Sequence, residues 1–584
     1  MNQQTLIESL PPHLSQYVEV QDYAAYTPRD QAVWRFLLHR LMDQLADTAH
    51  PVYLEGLRRT GISPEYIPVL DEMNACLEDI GWHVLGVDGF IPPAVFMAFQ
   101  ARRILVVATR MRTVEQILYT PAPDIVHESA GHAPFLVDVD YAEFLQRFGE
   151  IGMQVLSSRE DQAVFAAIRQ LSILKESGTT DNTRLHAAEA RLQQALASNQ
   201  VPSEATLLAR LHWWTVEYGL VGGLADYRLY GAGLLSSLGE SQHCLDDNKV
   251  VKRLLTVDAI RETYDITREQ PCLFVAHSCR HLSQVLEDMA RGLAQTTGGL
   301  AGINKAIDCA TVVTLEFNSG VQVSGQVSEV LADAMGNVTY VHTTGPSQLS
   351  FAGQQLPDHG TDVHAAGFGS PVGYVTGFKR CLSEYSIDEL RFVGIEVGQQ
   401  VNLEFVSGVQ LQGRLLQIIR RQQKNVLLSF ADCQVSTATG DLLFEPEWGQ
   451  FDMAVGIAVS RVAGGPADPE AFPQTEPLPA QLPAVVESTP EAAELMTCYA
   501  RVQQARETQT TAELVSAGLV MHILREHGSE WLLLYETYEL LLAAAEPMAA
   551  KVLAALQHQP QLDPCLVQVL GTAIHHLETN HEST

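Results

Sequence analysis

The stretch PAPDIVHESAGHAPF, Pro121 to Phe135, decides how this chain is read. His127 and His132 stand five residues apart, Glu128 follows the first, and three prolines and a glycine surround them. On a continuous α-helix, five residues leave two side chains about 140° apart. They therefore cannot share a helix face as the HExxH pair does with its four-residue spacing. A zinc hydrolase with Glu128 as its base fails on that spacing. The prolines instead predict His127 at the end of an extended segment and His132 in a first helical turn. The chain turning between them could aim both imidazoles at one point. From these residues alone, caps and polar packing are the commoner reading of such a pair and metal ligands the rarer one.

A third candidate is Glu217, in LHWWTVEYGLVGGLADY (Leu211–Tyr227). A carboxylate in so apolar and aromatic a run is costly unless it is paired or bound to a cation. The alternative is a glutamate on the solvated edge of an amphipathic helix. Two neutral histidines plus one carboxylate form the facial triad of non-haem Fe(II) oxygenases, which leaves positions open for oxygen, water and substrate. Zinc would want a fourth ligand, and no cysteine lies near in sequence.

Composition narrows the class. At 584 residues the chain exceeds one core. Its 46% apolar and 18% charged residues describe folded protein. No long apolar run marks a membrane span, and the opening MNQQTLIESLPPHLSQ lacks the form of a secretory signal. Nine scattered cysteines without a CxxC pair suit reduced thiols, so a cytoplasmic location is expected. A net charge of −32 makes nucleic acid a poor partner. Small-molecule substrates remain, with no membrane expected.

Helical periodicity, as in DQAVWRFLLHRLMDQLA and HLSQVLEDMARGLA, runs from about residue 28 to 293. A short strand is expected in RRILVVATR, and TTGGLAGINKA (296–306) reads as a linker or tight crossing. The period then changes to alternation with Ser-Gly turns. VTLEFNSGVQVSG (Val313–Gly325) aligns with VNLEFVSGVQLQG (Val401–Gly413) at a shift of 88, with nine identities in thirteen, and Asn337-Val338 repeats as Asn425-Val426. Two copies of a small β unit are expected. In sequence they show no His/Cys/Asp cluster, phosphate loop or basic stripe, so no second active site is expected there. A Pro- and acid-rich linker follows. The helical segment EWLLLYETYELLLAAAEPMAAKVLAALQ is apolar enough to need a partner surface. The expected fold is thus multidomain: a mainly α catalytic domain with minor β, two repeated barrel-like β units, and a C-terminal helical region. The boundaries are an N-terminal extension 1–22, catalytic domain 23–295, β units 307–394 and 395–464, linker 465–491 and helices 492–584.

Three motifs, YTPAPDIVHESAGHAPFL, WTVEYGL and YGAGLLSSLGE, with a later REQPCLFVA, resemble the pterin-dependent aromatic amino acid hydroxylases over about residues 23 to 293. Within that family the similarity is greatest to the phenylalanine-hydroxylating members. The resemblance implies an iron site of His127, His132 and Glu217, and a reduced pterin, tetrahydrobiopterin or a related tetrahydropterin. Arg112, in ATRMRT, would pair with the substrate carboxylate, with Thr120 and Ser236 completing the amino-acid clamp. Trp213, Pro123 and Tyr218 would line the ring pocket. VDGFIPPAVF would form the pterin shelf, with Phe96 stacking on the pterin, Gly89 to Ile91 giving backbone contacts, and Glu128 facing the pterin. The regulatory domain that precedes the catalytic domain in animal members is expected to be missing.

Two departures stand out. A polar helical insert, LKESGTTDNTRLHAAEARLQQALASNQ, lengthens the stretch between His132 and Glu217, and His212 precedes Trp213 where the family commonly has a tyrosine or another residue. The implied chemistry is oxidative. The reduced pterin supplies two electrons, and one atom of O2 goes to the pterin and the other to the aromatic ring. Hydroxylation of L-phenylalanine to L-tyrosine leads. Hydroxylation of tryptophan is disfavoured by Trp213, because tryptophan-specific members resemble one another in placing a smaller phenylalanine there. A regulatory or scaffold protein retaining the fold would have no reason to keep the triad, Arg112 and Ser236. The catalytic block carries every residue the chemistry needs, so a chain ending near Gly298 should suffice for activity. The C-terminal half is expected to form a homo-oligomer or to modulate the enzyme.

Overall fold

A computed structural model describes residues 1–87, 91–118, 123–176, 182–266, 268–473, 489–516, 518–559 and 561–582. The Pro28–Leu45 helix anchors the first half. A reciprocal Thr27–Asp30 capping box and Pro28 in its first turn start it. The helix buries Trp34, Phe36, Leu37, Leu38 and Leu41. Around it lie short sheets that hold loops in place. Val18–Glu19, His83–Val87 and Ile104–Ala108 form one, in which the last two pair in parallel across the Pro93–Ala101 helix. The strand expected in RRILVVATR is the Ile104–Ala108 strand, buried throughout. A second sheet runs in the order Arg228–Leu229, Leu220–Val221, Cys272–Ala276, Val251–Leu254.

Arg159–Glu176 and Asn182–Ser198 are two packed helices carrying most of the polar insert. Residues 296–306, expected as a linker or tight crossing, are instead mostly helix: Ala294–Thr297 and Gly299–Cys309 meet at a break on Gly298. Gly298 and Gly299 have φ of 52° and 55°, and a Cβ on Gly298 would meet the Ser460 carbonyl at 2.5 Å. Only glycine fits there.

The 88-residue repeat is structural as well as sequential. Val313 pairs with Gly325 and Leu315 with Val323, and Val401 pairs with Gly413 and Leu403 with Leu411. Each hairpin continues into a long third strand, Val338–Phe351 or Lys424–Ser436, which also pairs with a later short strand, Gly367–Pro371 or Phe451–Ala454. Both sheets are open paths among the described residues, so the barrel-like expectation is corrected: no pairing joins their outer strands. The boundary at 464 also needs revision. Val459–Gly464 pairs with Val312–Phe317 of the first unit, not with the second. Val459 and Val462, three residues apart and brought to one face by a register shift between Val459 and Arg461, complete the first unit's core. The linker lies mostly outside the described residues.

The C-terminal helices find their partner within the chain. Trp531–Ala543 and Pro490–Glu507 pack on Pro28–Leu45, and their buried residues belong to the catalytic core. Phe36 meets the rings of Trp531 and Tyr535 edge-on at 5.0 Å each. Beside them Arg35 Nη2 lies 2.7 Å from Glu536 Oε2, both side chains nearly fully buried. No described helix is long and apolar enough to cross a membrane.

Candidate active site

His127 and His132 occupy one element, the π-helix His127–His132, not an extended end followed by a helical turn. The physical reason is the i→i+5 repeat of the π-helix, which brings residues five apart nearly into line where an α-helix would splay them. Their Nε2 atoms face each other at 3.1 Å. Glu217 ends a second π-helix, Trp213–Glu217. Its Oε2 is 3.2 Å from His127 Nε2 and its Oε1 3.5 Å from His132 Nε2. Glycine lets the backbones close on this point. A Cβ on Gly131 would lie 2.8 Å from the Ala232 carbonyl, and one on Gly231 2.5 Å from the Glu217 carbonyl. The glycines of YGAGLL are therefore sites of close approach.

Ser236 Oγ donates to the Ala232 carbonyl at 2.8 Å, so toward His127 Nδ1, 3.1 Å away, it accepts. Nδ1–H is thereby committed, and Nε2 is left to present either a proton or a lone pair to the cluster. Without a cation, burial disfavours the imidazolium of His127. The Glu217 hydrogen bond and the charges of Glu217, Glu128 and Asp124 outweigh it and raise its pKa to about 9. Burial drives His132 down to about 3. Burial opposes the Glu217 carboxylate, but the three histidines at 127, 132 and 212 hold its pKa below the usual range. Two imidazoles and a carboxylate converging at these distances fit a divalent metal, which would replace the shared proton.

Glu128 is close by but differently disposed. Its Oε2 is 3.9 Å from His132 Nε2, is buried, and has no hydrogen-bond partner among the described residues. Without a cation, burial raises its pKa to about 8. Such an orphan polar atom suits a ligand that the chain itself does not supply.

Arg112 is buried, and its fork is already engaged. Nε and Nη2 donate to Asp124 Oδ2 and Oδ1 at 2.7 and 2.8 Å, and Nη1 donates to the Ser236 carbonyl at 3.3 Å. Two of its five N–H groups remain for a carboxylate. Trp213 is clamped between Tyr218 (4.6 Å, 30°) and Tyr264 (4.3 Å, 10°). Tyr218 is buried, Pro123 exposed, and Ile91 and Phe96 half-buried. Phe96 meets the His212 ring edge-on at 6.0 Å, and His212 Nδ1 is 3.6 Å from Glu217 Oε1. Gly89 and Thr120 lie outside the described residues.

Sequence reasoning missed Asp124 and Tyr264. Asp124 had a signal: it precedes His127 by three residues, and its Oδ1 accepts from the His127 N–H at 3.0 Å, an N-cap contact. Tyr264 had none, because only the fold brings it to Trp213.

The profile of the family described as biopterin-dependent aromatic amino acid hydroxylase matches residues 15–175 and 186–298. The break, 176–185, falls inside the insert. A phenylalanine-4-hydroxylase of Pseudomonas aeruginosa is 30% identical over 279 residues, 47% of this chain and 89% of that protein. One of Chromobacterium violaceum is 30% identical over 261 residues, 44% of this chain and 72% of the relative. A crystal structure of the Chromobacterium violaceum phenylalanine hydroxylase with bound iron(III) and 7,8-dihydrobiopterin is 26% identical, covers 50% of this chain and 91% of that one, and gives a TM-score of 0.38. The chain belongs to the biopterin-dependent aromatic amino acid hydroxylases. Within that class, the relatives it is similar to are phenylalanine-4-hydroxylases.

Proposed function

We propose that this chain is an iron- and tetrahydropterin-dependent monooxygenase that converts L-phenylalanine to L-tyrosine with O2. The observation that carries this reading is the meeting of His127, His132 and Glu217 in a chain 30% identical to phenylalanine-4-hydroxylases. Bound Fe(II) and reduced pterin supply the redox chemistry that activates O2.

The chain's own residues position and exclude. His127, His132 and Glu217 hold the metal, and Ser236 fixes the His127 tautomer from behind. Glu128 faces the pterin, while Phe96, Ile91 and Gly89 form its shelf. Arg112, oriented by Asp124, takes the amino-acid carboxylate through its two free N–H groups, with Thr120 and Ser236 beside it. Trp213, stiffened by its two tyrosine neighbours, walls the ring pocket with Tyr218 and Pro123. That wall favours a single ring over an indole.

Residues 23–295 are the catalytic unit. Residues 307–394 and 395–464 are a duplicated β module of two open sheets, the last strand of which, Val459–Gly464, joins the first sheet, and 492–584 are a helical cover on the catalytic unit. Nine unpaired cysteines support a reducing, cytoplasmic setting. Self-association through the C-terminal half is supported by exposed apolar side chains of the β half, Phe392 (91% exposed) and Val406 (73%). The test of function is direct: the Fe(II)-loaded protein, given phenylalanine, a tetrahydropterin and O2, forms tyrosine with stoichiometric pterin oxidation. Pterin oxidation without tyrosine, or a preference for tryptophan, overturns the reading.

A further inference from the structure

The β half, in which no His/Cys/Asp cluster was expected, contains one. His359 and His364 lie on the segment between strands Gln354–Gln355 and Gly367–Pro371 of the first unit. Asp452 lies on strand Phe451–Ala454 of the second. Nearly ninety residues of chain separate the carboxylate from the histidines, which is why the sequence did not reveal the cluster.

All three side chains are buried, with exposures of 3%, 9% and 5%. His359 Nδ1 is 3.3 Å from His364 Nε2. Asp452 Oδ2 is 3.7 Å from the first nitrogen and 3.8 Å from the second. The last two distances are too long for hydrogen bonds. Yet three atoms so spaced leave between them a point about 2.1 Å from each, the length of a metal–imidazole or metal–carboxylate bond. The surroundings hold the donors in place. Gln450 Nε2 donates to Asp452 Oδ1 at 3.0 Å, orienting Oδ2 toward the histidines. The Phe368 edge packs on the His364 ring at 5.6 Å, and the two imidazoles lie nearly parallel, 13° apart. The His359 and His364 carbonyls accept from the Leu349 and Ser347 N–H groups, so the segment is tied to the sheet.

We propose that His359, His364 and Asp452 form a second metal site that takes a divalent first-row transition ion, such as Zn2+ or Fe2+. Two nitrogens and one carboxylate oxygen suit that class and not Ca2+ or Mg2+. The ion ties the first β unit to the second, where the chain supplies the two donor sets from opposite partners.

Cobalt(II) added to the metal-free full-length protein tests this. The parent should bind two equivalents, Asp452→Asn one, and His127→Ala/His132→Ala one. The ion retained by the last variant should show d–d absorption without a thiolate charge-transfer band, which separates it from the Cys498, His522 and His527 group. One equivalent in the parent, or two in Asp452→Asn, overturns the proposal. Should Asp452→Asn fail to fold, the His127→Ala/His132→Ala variant decides alone: one thiolate-free Co2+ supports the site, and none, or one with a thiolate band, refutes it.

Discussion

Ser236 illustrates how a single hydroxyl can orient an imidazole. Its Oγ accepts from His127 Nδ1 and so fixes which nitrogen faces Glu217. Ser236→Ala should weaken Fe(II) binding by roughly ten- to a hundredfold, measured by chelator competition, whereas His132→Ala should abolish hydroxylation altogether. An unchanged iron affinity in Ser236→Ala would leave that residue to the amino-acid clamp alone. For Arg112, the Asp124 contact changes what a substitution reports. Arg112→Lys keeps the charge but loses the fork, and each charge-assisted bond lost is worth about 1.5–3 kcal/mol. The KM for phenylalanine should rise roughly ten- to a hundredfold, with the pterin KM nearly constant.

Glu240 gives a pH test. Burial, offset in part by the Tyr218 hydrogen bond and reinforced by the Glu269 charge, raises its pKa to about 7. A folded-state value above the unfolded one means stability present at acid pH is lost as pH rises from about 4.5 through 7. Glu240→Gln should therefore match the parent in thermal stability near pH 4 and exceed it at pH 8. Equal melting curves at pH 8 would contradict the burial account.

Elements show what periodicity can and cannot read. The Pro28–Leu45 helix was legible from its apolar spacing, and the Thr27–Asp30 capping box and Pro28 seen in the structure agree with it. The two π-helices were not, because a hydrophobic pattern distinguishes periods of 2 and 3.6 but carries no signature for one local i→i+5 turn. The histidine spacing held the clue: five residues fail on an α-helix and succeed on a π-helix. In the β half the repeat fixed the hairpin registers, yet the exchange of Val459–Gly464 into the first sheet was hidden, since a strand's own residues do not say which edge it joins. The element carrying Trp213 makes a substrate prediction. Trp213→Phe removes part of a stacked wall, and a pocket change of that size shifts discrimination by about 1–3 kcal/mol. Tryptophan should gain relative to phenylalanine in competitive turnover; no change would mean that Trp213 does not line the pocket.

At the scale of the molecule, the C-terminal helices alter the expectation that the first 298 residues suffice. They cover Phe36 and pair Glu536 with the buried Arg35. Removing one partner of such a pair costs about 3–5 kcal/mol. Glu536→Ala should lower the melting temperature of the full chain, and a 1–298 fragment should be less stable than the parent or aggregate. A fragment with the parent's melting temperature and kcat would show that the cover is dispensable. Long-range pairing of this kind leaves no local mark, so the sequence announced only that the last helices needed a surface. The central claim is oxygen insertion at the His127, His132 and Glu217 site, and 18O2 labelling tests it most directly. Turnover of phenylalanine by the Fe(II)-loaded protein with a tetrahydropterin should give tyrosine carrying one 18O atom, and Glu217→Ala should give none. Tyrosine without the label, or labelled tyrosine from Glu217→Ala, would contradict the account.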